Sequence, residues 1–456
     1  MAKIFNGTSP LPYVETGQLN LGRIPNGSSS IKKGIWLYFW LLIFEGALRK
    51  WILPQLATPL LIVRDPVAVY VIGLAIYHNR FRINGYVIAG ILITVFSFLT
   101  SLFFGHANIT VALYGARIMI IQFPLLFVIG QNFNYNDALK MGRMIIYITP
   151  FMTILMAWQF YSPQSSWVNR GLGGDTSGAG FSGAMGFFRP PGTFSFITGL
   201  SAFYGLLAAY VLNFWLSGYK KNVDTWIFTL ATICLFAAVP LSISRTLLFA
   251  VLLSLSFALV AALLNPLHLP KIIYGVGGIV LVLGVLSLFD FFQTAIEAFG
   301  SRFEVASSHE GGLQGTLGDR FLGGMIEAVS QGTDQRSLFW GKGLGMGTNA
   351  GAQLMSGKQT FLISEGEWGR LIGEMGLMLG VLAIILRVHF VVKMSSKAYS
   401  HLKKDNFLPW MLMSYAFVNI LQGQWAQPNA LGFSILSGGL IIASFKKPIV
   451  RGKNSQ

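Results

Sequence analysis

Charge-poor stretches of about 20 residues recur along the whole chain. Each, as a helix, is long enough to cross roughly 30 Å of hydrocarbon. Lipid offers no partner to exposed backbone amides, so such stretches must close their hydrogen bonds within a helix. Charged residues are 11% of the chain and apolar ones 53%, against about 25% charged in an average soluble domain. The fold class this predicts is all-α: a polytopic transmembrane helix bundle of about 12 spans. The spans fall near 34–52, 57–77, 85–104, 109–130, 142–161, 192–216, 225–243, 246–264, 271–289, 367–391, 408–424 and 428–445. The chain then divides into a tail (1–33), nine spans (34–289), a large loop subdomain between spans nine and ten (290–366), three spans (367–445) and a basic tail (446–456).

An even number of spans puts both termini on one side, and basic residues choose the side. With the N-terminus inside, 20 of the 33 basic residues fall in cytoplasmic segments or their margins, among them Lys32, Lys33, Arg80, Arg82, Lys140, Lys220, Lys221, Lys271, Arg387, Lys403 and Lys404. The reverse assignment exports all of them. The expected topology therefore puts both termini in the cytoplasm, and the excess of 33 Lys and Arg over 17 Asp and Glu reports topology rather than a nucleic-acid partner. Residues 1–31 are polar and hold Pro10, Pro12 and Pro25, with no short apolar region and cleavage site; they read as a cytoplasmic tail, not a signal peptide.

Cys234 is the single cysteine and lies within a span, which excludes a disulfide framework and a cysteine metal site. The six histidines never fall into ligand spacing. No metal and no cofactor are expected. No internal repeat is visible, which argues against a transporter built from paired halves.

Two outward loops are long, 162–191 and 290–366, and the second holds an amphipathic pattern from Asp319 to Ser330. The arginines predicted at that face are the candidate chemistry. Arg245 follows Ser242-Ile243-Ser244 at the turn between spans seven and eight, and Arg189 heads Arg189-Pro190-Pro191-Gly192 before span six. Arg302, Arg320 and Arg336 lie in the large loop, and Arg370 begins span ten. Arginine at this depth needs a partner or an anion, and its planar fork suits phosphate oxygens. Snorkelling and salt bridging are the competing uses.

A second cluster is Glu365-Gly366-Glu367-Trp368-Gly369-Arg370, followed by Glu374-Met375-Gly376. On a helix Glu367, Arg370 and Glu374 share a face. Either general acid/base work at a cavity rim or a self-neutralised ion pair is open to them. The Gly341–Gly347 run does not follow a strand or end in GK[ST], so it reads as a turn before a re-entrant segment rather than a phosphate loop. Most of Glu45, Arg49, Lys50, Arg64 and Asp65 are expected to pair with one another. Arg117, deep in span four, is either a partner of Asp65 or a ligand for a lipid diphosphate.

On these residues the chain resembles the bacterial O-antigen ligase and O-antigen polymerase superfamily of C-type glycosyltransferase-like membrane proteins. Ser242-Ile243-Ser244-Arg245 matches the family's SxSR-like turn, and Arg320 followed by Gly341–Gly347 matches the order of its loop. Glu374-Met375-Gly376 matches the start of its E-x-G-x-x-G stretch, with the last glycine displaced to Gly380. Where ligases carry a histidine nine residues earlier, this chain has Glu365, which turns the resemblance toward a polymerase or exopolysaccharide transferase.

The resemblance implies metal-independent glycosyl transfer from a polyprenyl-diphosphate-linked glycan to a glycan or lipid acceptor in the periplasm. Arg245, Arg320, Arg189 and Arg370 would hold the diphosphate, and Glu365, or second Glu367, would take the acceptor proton. Membrane lipid and a chain-length-regulating membrane protein would be its other partners. An O-antigen ligase proper, a lipid-linked oligosaccharide flippase or other transporter, and a non-catalytic scaffold of an envelope polysaccharide complex are the alternatives.

Overall fold

A computed structural model describes residues 26–218, 223–309, 335–357, 362–364 and 366–446. The helices, in chain order, are α1 (Asn26–Ala47), α2 (Arg64–Tyr77), α3 (Gly85–Phe103), α4 (Ile109–Arg117), α5 (Phe123–Asn132), α6 (Tyr135–Tyr161), α7 (Ile197–Ser217) and α8 (Thr225–Leu241). They continue as α9 (Arg245–Leu264), α10 (Leu269–Leu286), α11 (Asp290–His309), α12 (Gln335–Trp340), α13 (Asn349–Ser356), α14 (Glu367–Leu402), α15 (Phe407–Gln422) and α16 (Pro428–Ser444). One small antiparallel hairpin, β1 (Phe181–Ala184) with β2 (Phe187–Arg189), is the sheet among the described residues.

Short polar residues start the helices where the chain turns. Asn84 and Asn108 accept from amides of the first turns of α3 and α4, and Asn134 with Asp137 forms a reciprocal capping box on α6. Among the described residues, eight helical stretches are long and apolar enough to cross a membrane, one of them Ile109–Asn132, which runs through α4, a π-helical turn and α5. Three shorter apolar helices, α8, α15 and α16, accompany them. The apolar faces divide by position: the best window of α7 is 94% buried, making it the central post, whereas that of Pro266–Leu286 is 6% buried.

Small residues let the central helices approach. A Cβ on Gly130 of α5 would stand 2.5 Å from Ile442, and one on Gly439 of α16 would stand 2.6 Å from Ile129, so glycines serve both sides of this crossing.

The connections gather at two ends. At one end, Trp51 stacks on Trp167 at 5.5 Å, Lys50 donates to the Gly192 carbonyl at 2.7 Å, and His106 meets the Leu344 carbonyl at 3.1 Å. This loop-bearing end therefore collects the segment after α1, the 162–196 loop and the glycine-rich 341–347 run. The opposite end holds the α2–α3, α7–α8, α9–α10 and α14–α15 connections.

The predicted span 367–391 is corrected here. Gly376 has φ 78° and ψ 170°, a break in the middle of α14. Residues 367–375 fold back against the rest of the helix, as shown by Arg387 reaching Glu367 at 2.6 Å across 20 residues of sequence. An unbroken helix would hold them about 30 Å apart. The crossing part of α14 thus begins after Gly376 and runs on to Leu402. Arg387, grouped in sequence with the basic margin of the opposite face, lies buried instead at the loop-bearing end, donating to the Ile420 and Gly423 carbonyls. Span six also starts later than predicted: Gly192 to Phe196 are not helical, and α7 begins at Ile197.

Candidate functional site

Two clusters of buried charge flank the α4–α5 span near the loop-bearing end. The first is built by α1, α2 and α4. At the end of α1 the backbone loosens into a π-helical turn, Leu48–Ile52, which turns Arg49 and Lys50 inward. Arg49 donates to Glu45 at 3.3 Å, to the Ser195 hydroxyl at 3.0 Å and to the Ala57 carbonyl at 2.7 Å. Arg64, at the start of α2, takes the other Glu45 oxygen at 3.1 Å and the Pro428 carbonyl at 2.7 Å. Gly432 makes room for this guanidinium, since a Cβ there would lie 2.0 Å from Nη1.

Asp65 receives Arg117 Nη1 at 2.6 Å and the Gln122 amide at 2.5 Å, and Gln122 in turn accepts from the Tyr38 hydroxyl at 2.7 Å. Arg117 lies over the Tyr114 ring, 4.0 Å from its centroid. A second π-helical turn, Ile118–Gln122, directly follows Arg117. Arg49, Arg64 and Arg117 thus face Glu45 and Asp65, three cations to two carboxylates, all in buried residues. Arg117 Nη2 is buried and meets no acceptor among the described residues. Lys50, buried next door, bonds a carbonyl rather than a carboxylate.

The second cluster is organised by the fold-back at Gly376. Glu367 accepts from Arg370 Nε at 2.9 Å and Nη2 at 2.8 Å, from Arg387 Nη1 at 2.6 Å and from the Trp425 amide at 3.1 Å. Arg370 Nη1 reaches Glu374 at 2.6 Å, and the Gly347 amide donates to the other Glu374 oxygen at 2.8 Å. Arg387 is stacked on the Trp425 ring at 3.9 Å. Two arginines meet two glutamates, and the neighbouring cavity of about 10 Å³ has room for no more than a water. Of the two uses open to Glu367, Arg370 and Glu374 in sequence, a cavity rim or a self-neutralised ion pair, the second is what forms: a closed, balanced network that pins the re-entrant helix.

The glycine-rich run is the third side of this arrangement. Gly341, Gly343 and Gly345 all have positive φ, and amides of Lys342 and Gly343 bond the Gly373 and Glu374 carbonyls at 2.8 and 3.0 Å. The Leu344 amide donates to Ser101 of α3 at 2.7 Å. The run therefore makes the turn expected from sequence, threading between α3–α4 and the folded-back helix.

The SxSR turn has its own geometry. Ile243 takes φ 47°, an uncommon conformation for a β-branched residue, and is 1% exposed. Ser244 caps α9, and its hydroxyl lies 3.1 Å from that of Ser201 on α7. Arg245, the first residue of α9, is half-buried. Gly183 of the hairpin lies over this turn: a Cβ there would meet Ile243 Cδ1 at 2.8 Å and Arg189 Cγ at 3.5 Å. Arg189 and the turn of Arg245 thus share one corner of the loop-bearing end. Arg320 and Glu365 lie outside the described residues, as does the 319–330 helix; Arg302 is half-buried on α11.

Sequence reading expected most of Glu45, Arg49, Lys50, Arg64 and Asp65 to pair and left Asp65 open to Arg117, and those pairs form; what it missed is the surplus of arginine that results. The missed signal is the pair of π-helical turns, which no periodicity of residue types announces. Among the described residues, no group of three or more His, Cys, Asp or Glu gathers. No protein-family model, curated protein or solved structure matches this chain.

Proposed function

We propose that the chain is a glycosyltransferase of the bacterial inner membrane, acting on a polyprenyl-diphosphate-linked glycan in O-antigen or exopolysaccharide assembly. The observation that carries this reading is the α1–α2–α4 cluster: a buried surplus of guanidinium charge, set on the two π-helical turns of the described residues, with one Arg117 nitrogen lacking an acceptor. An unmatched buried donor costs about 1–3 kcal/mol, and π-turns are frequent at functional sites. A diphosphate supplies both the missing acceptor and the missing negative charge. By the resemblance, Arg245 and Arg189, which share a corner of the same end, and Arg320 would also serve the diphosphate.

In the reaction, an acceptor sugar hydroxyl attacks the anomeric carbon, the bond from that carbon to the diphosphate oxygen breaks, and polyprenyl diphosphate leaves. Charge grows on the departing oxygen, where preorganised cations stabilise it most. The hydroxyl proton goes to a carboxylate. Glu365 keeps that assignment, whereas Glu367, with four donors already on its two oxygens, holds structure. A chain-length-regulating membrane protein would set product size.

The topology belonging to this reading has twelve crossings: the eight long stretches, the three shorter apolar helices and α1. Both termini are then cytoplasmic and the loop-bearing end periplasmic. A cysteine at Thr176 should react with a membrane-impermeant thiol reagent in cells with a permeabilised outer membrane, and one at Ser455 should not; the opposite pattern reverses the orientation. For function, deletion in the native host followed by sizing of surface glycans is decisive. Loss of long chains with single units retained identifies a polymerase, finished chains left on the carrier identify a ligase, and unchanged glycans overturn the reading.

A further inference from the structure

A further cavity lies apart from these clusters. It is a groove of about 750 Å³ between α7, α8 and α10, lined by Trp215, Phe228, Thr232, Phe236, Tyr274 and Gly278 among others. That volume is in the range of small-molecule sites. Its lining runs along α10 from Lys271, at the opposite end from the loops, to Val282. Eleven residues of helix span about 16 Å, which is about half of a 30 Å hydrocarbon core. The groove therefore matches one leaflet in depth.

Its walls are apolar in effect as well as in composition. The three aliphatic hydroxyls on the lining are spent on their own helices: Ser217 donates to the Asn213 carbonyl at 2.7 Å, Thr229 to Thr225 at 2.9 Å and Thr232 to Phe228 at 2.8 Å. What they present to the groove is methyl and methylene. At the mouth stands Lys271, whose ammonium donates to the Leu216 carbonyl at 3.1 Å and lies 3.2 Å from His268 Nδ1. An ammonium has three donors, so it keeps capacity for an anion at headgroup level. Trp215 and Tyr274, the aromatic types that favour the membrane–water boundary, flank it.

The shape depends on glycines. A Cβ on Gly275 would stand 2.4 Å from the Trp215 ring, so this glycine lets the indole lie against α10. Gly278 faces open space, with nothing within 4 Å of where its Cβ would be. We infer that this groove is a binding site for an anionic phospholipid of the leaflet opposite the loop-bearing end, an acyl chain lying along α8 and α10 and the phosphate on Lys271.

The test uses the full chain in detergent micelles, titrated with phosphatidylglycerol or with phosphatidylcholine of identical acyl chains and followed by native mass spectrometry. Phosphatidylglycerol should bind in preference, by about tenfold, the factor that 1.4 kcal/mol of charge recognition gives. Gly278→Phe should abolish that bound lipid, because the new ring enters the groove without striking the backbone. Val282→Trp, deeper on the same wall, is the second blocking variant should the first fail to fold. Lys271→Gln keeps a donor for Leu216 but removes the charge, so it should erase the preference while retaining chain binding. Equal retention of the two lipids by the wild type, or undiminished phosphatidylglycerol on a folded blocking variant, overturns the site. The outcome does not depend on glycosyl transfer, since the groove lies at the other end of the bundle.

Discussion

The two buried charge clusters use the same residue types at the same end of the bundle, and they are opposites in balance. Around Glu367, two arginines meet two glutamates, and the carboxylate oxygens are filled by guanidinium and amide donors. Around Asp65, three arginines share two carboxylates, and one nitrogen has no acceptor. A buried pair is weak evidence for net stability, but removing one partner from it is costly because the other charge is then stranded. Balance with saturation is what a structural clamp needs. Surplus with an unmatched donor is what an anion site needs. The comparison teaches that counting intramembrane charges locates candidate sites, whereas the hydrogen-bond partners of each charge separate clamp from site.

The hardest attempt to break the comparison is Glu367→Gln. It turns a neutral cluster into one with an excess positive charge and strands Arg387, while Arg370 keeps only Glu374. We expect a loss of about 3–5 kcal/mol, read as failure to accumulate in the membrane or a large drop in thermal stability in detergent. A stable variant that lacks only glycan assembly would make this cluster the active one and invert the argument.

Gly376→Ala addresses the fold-back that creates the same cluster. Its φ of 78° disfavours any side chain, and a Cβ would lie 2.0 Å from the Phe339 carbonyl. Strain of this kind costs about 1–3 kcal/mol, so melting should fall without affecting lipid binding in the α8–α10 groove. An unchanged melting curve would mean that residues 367–375 need not turn back.

Arg117→Gln sharpens the contrast from the other side. It takes the first cluster from an excess positive charge to neutral, removes the unmatched nitrogen, and leaves Asp65 its bond from Gln122. The stability cost should stay near 1–2 kcal/mol, while glycan assembly is lost. Wild-type assembly by this variant would withdraw the cluster from diphosphate binding.

The smallest effect belongs to an ion pair at the opposite end. Lys32 meets Asp137 at 2.6 Å with the lysine side chain 29% exposed. Lys32→Met should change stability by less than about 1 kcal/mol, and Asp137 keeps its capping bonds with Asn134. A loss as large as that of Glu367→Gln would show that burial does not separate the two cases.

Much of the fold was legible in the chain, because crossing a membrane imposes a length and a polarity that one sequence window reveals. The helices Ile109–Asn132, α3, α9 and α16 lie within a few residues of where hydropathy puts them. The Asp65–Arg117 pairing was among the uses open to Arg117. The turn at Gly341–Gly347 was legible as well, since a run of glycines permits the positive φ that such a turn requires. Arg387 was read as a margin residue for a physical reason: position along a helix sets depth only if the helix is continuous, and the break at Gly376 shifts the register.

By itself, then, the sequence determined that this is a bundle of apolar helices with arginine-rich connections, since both follow from local composition. Which arginines are neutralised and which remain in surplus was decided only by tertiary structure. Arg49, Arg64 and Arg117 come from three separate helices, and Glu367 finds Arg387 only across a fold-back of 20 residues. Electrostatic balance depends on distances between segments remote in sequence, and those distances exist only once the helices have packed.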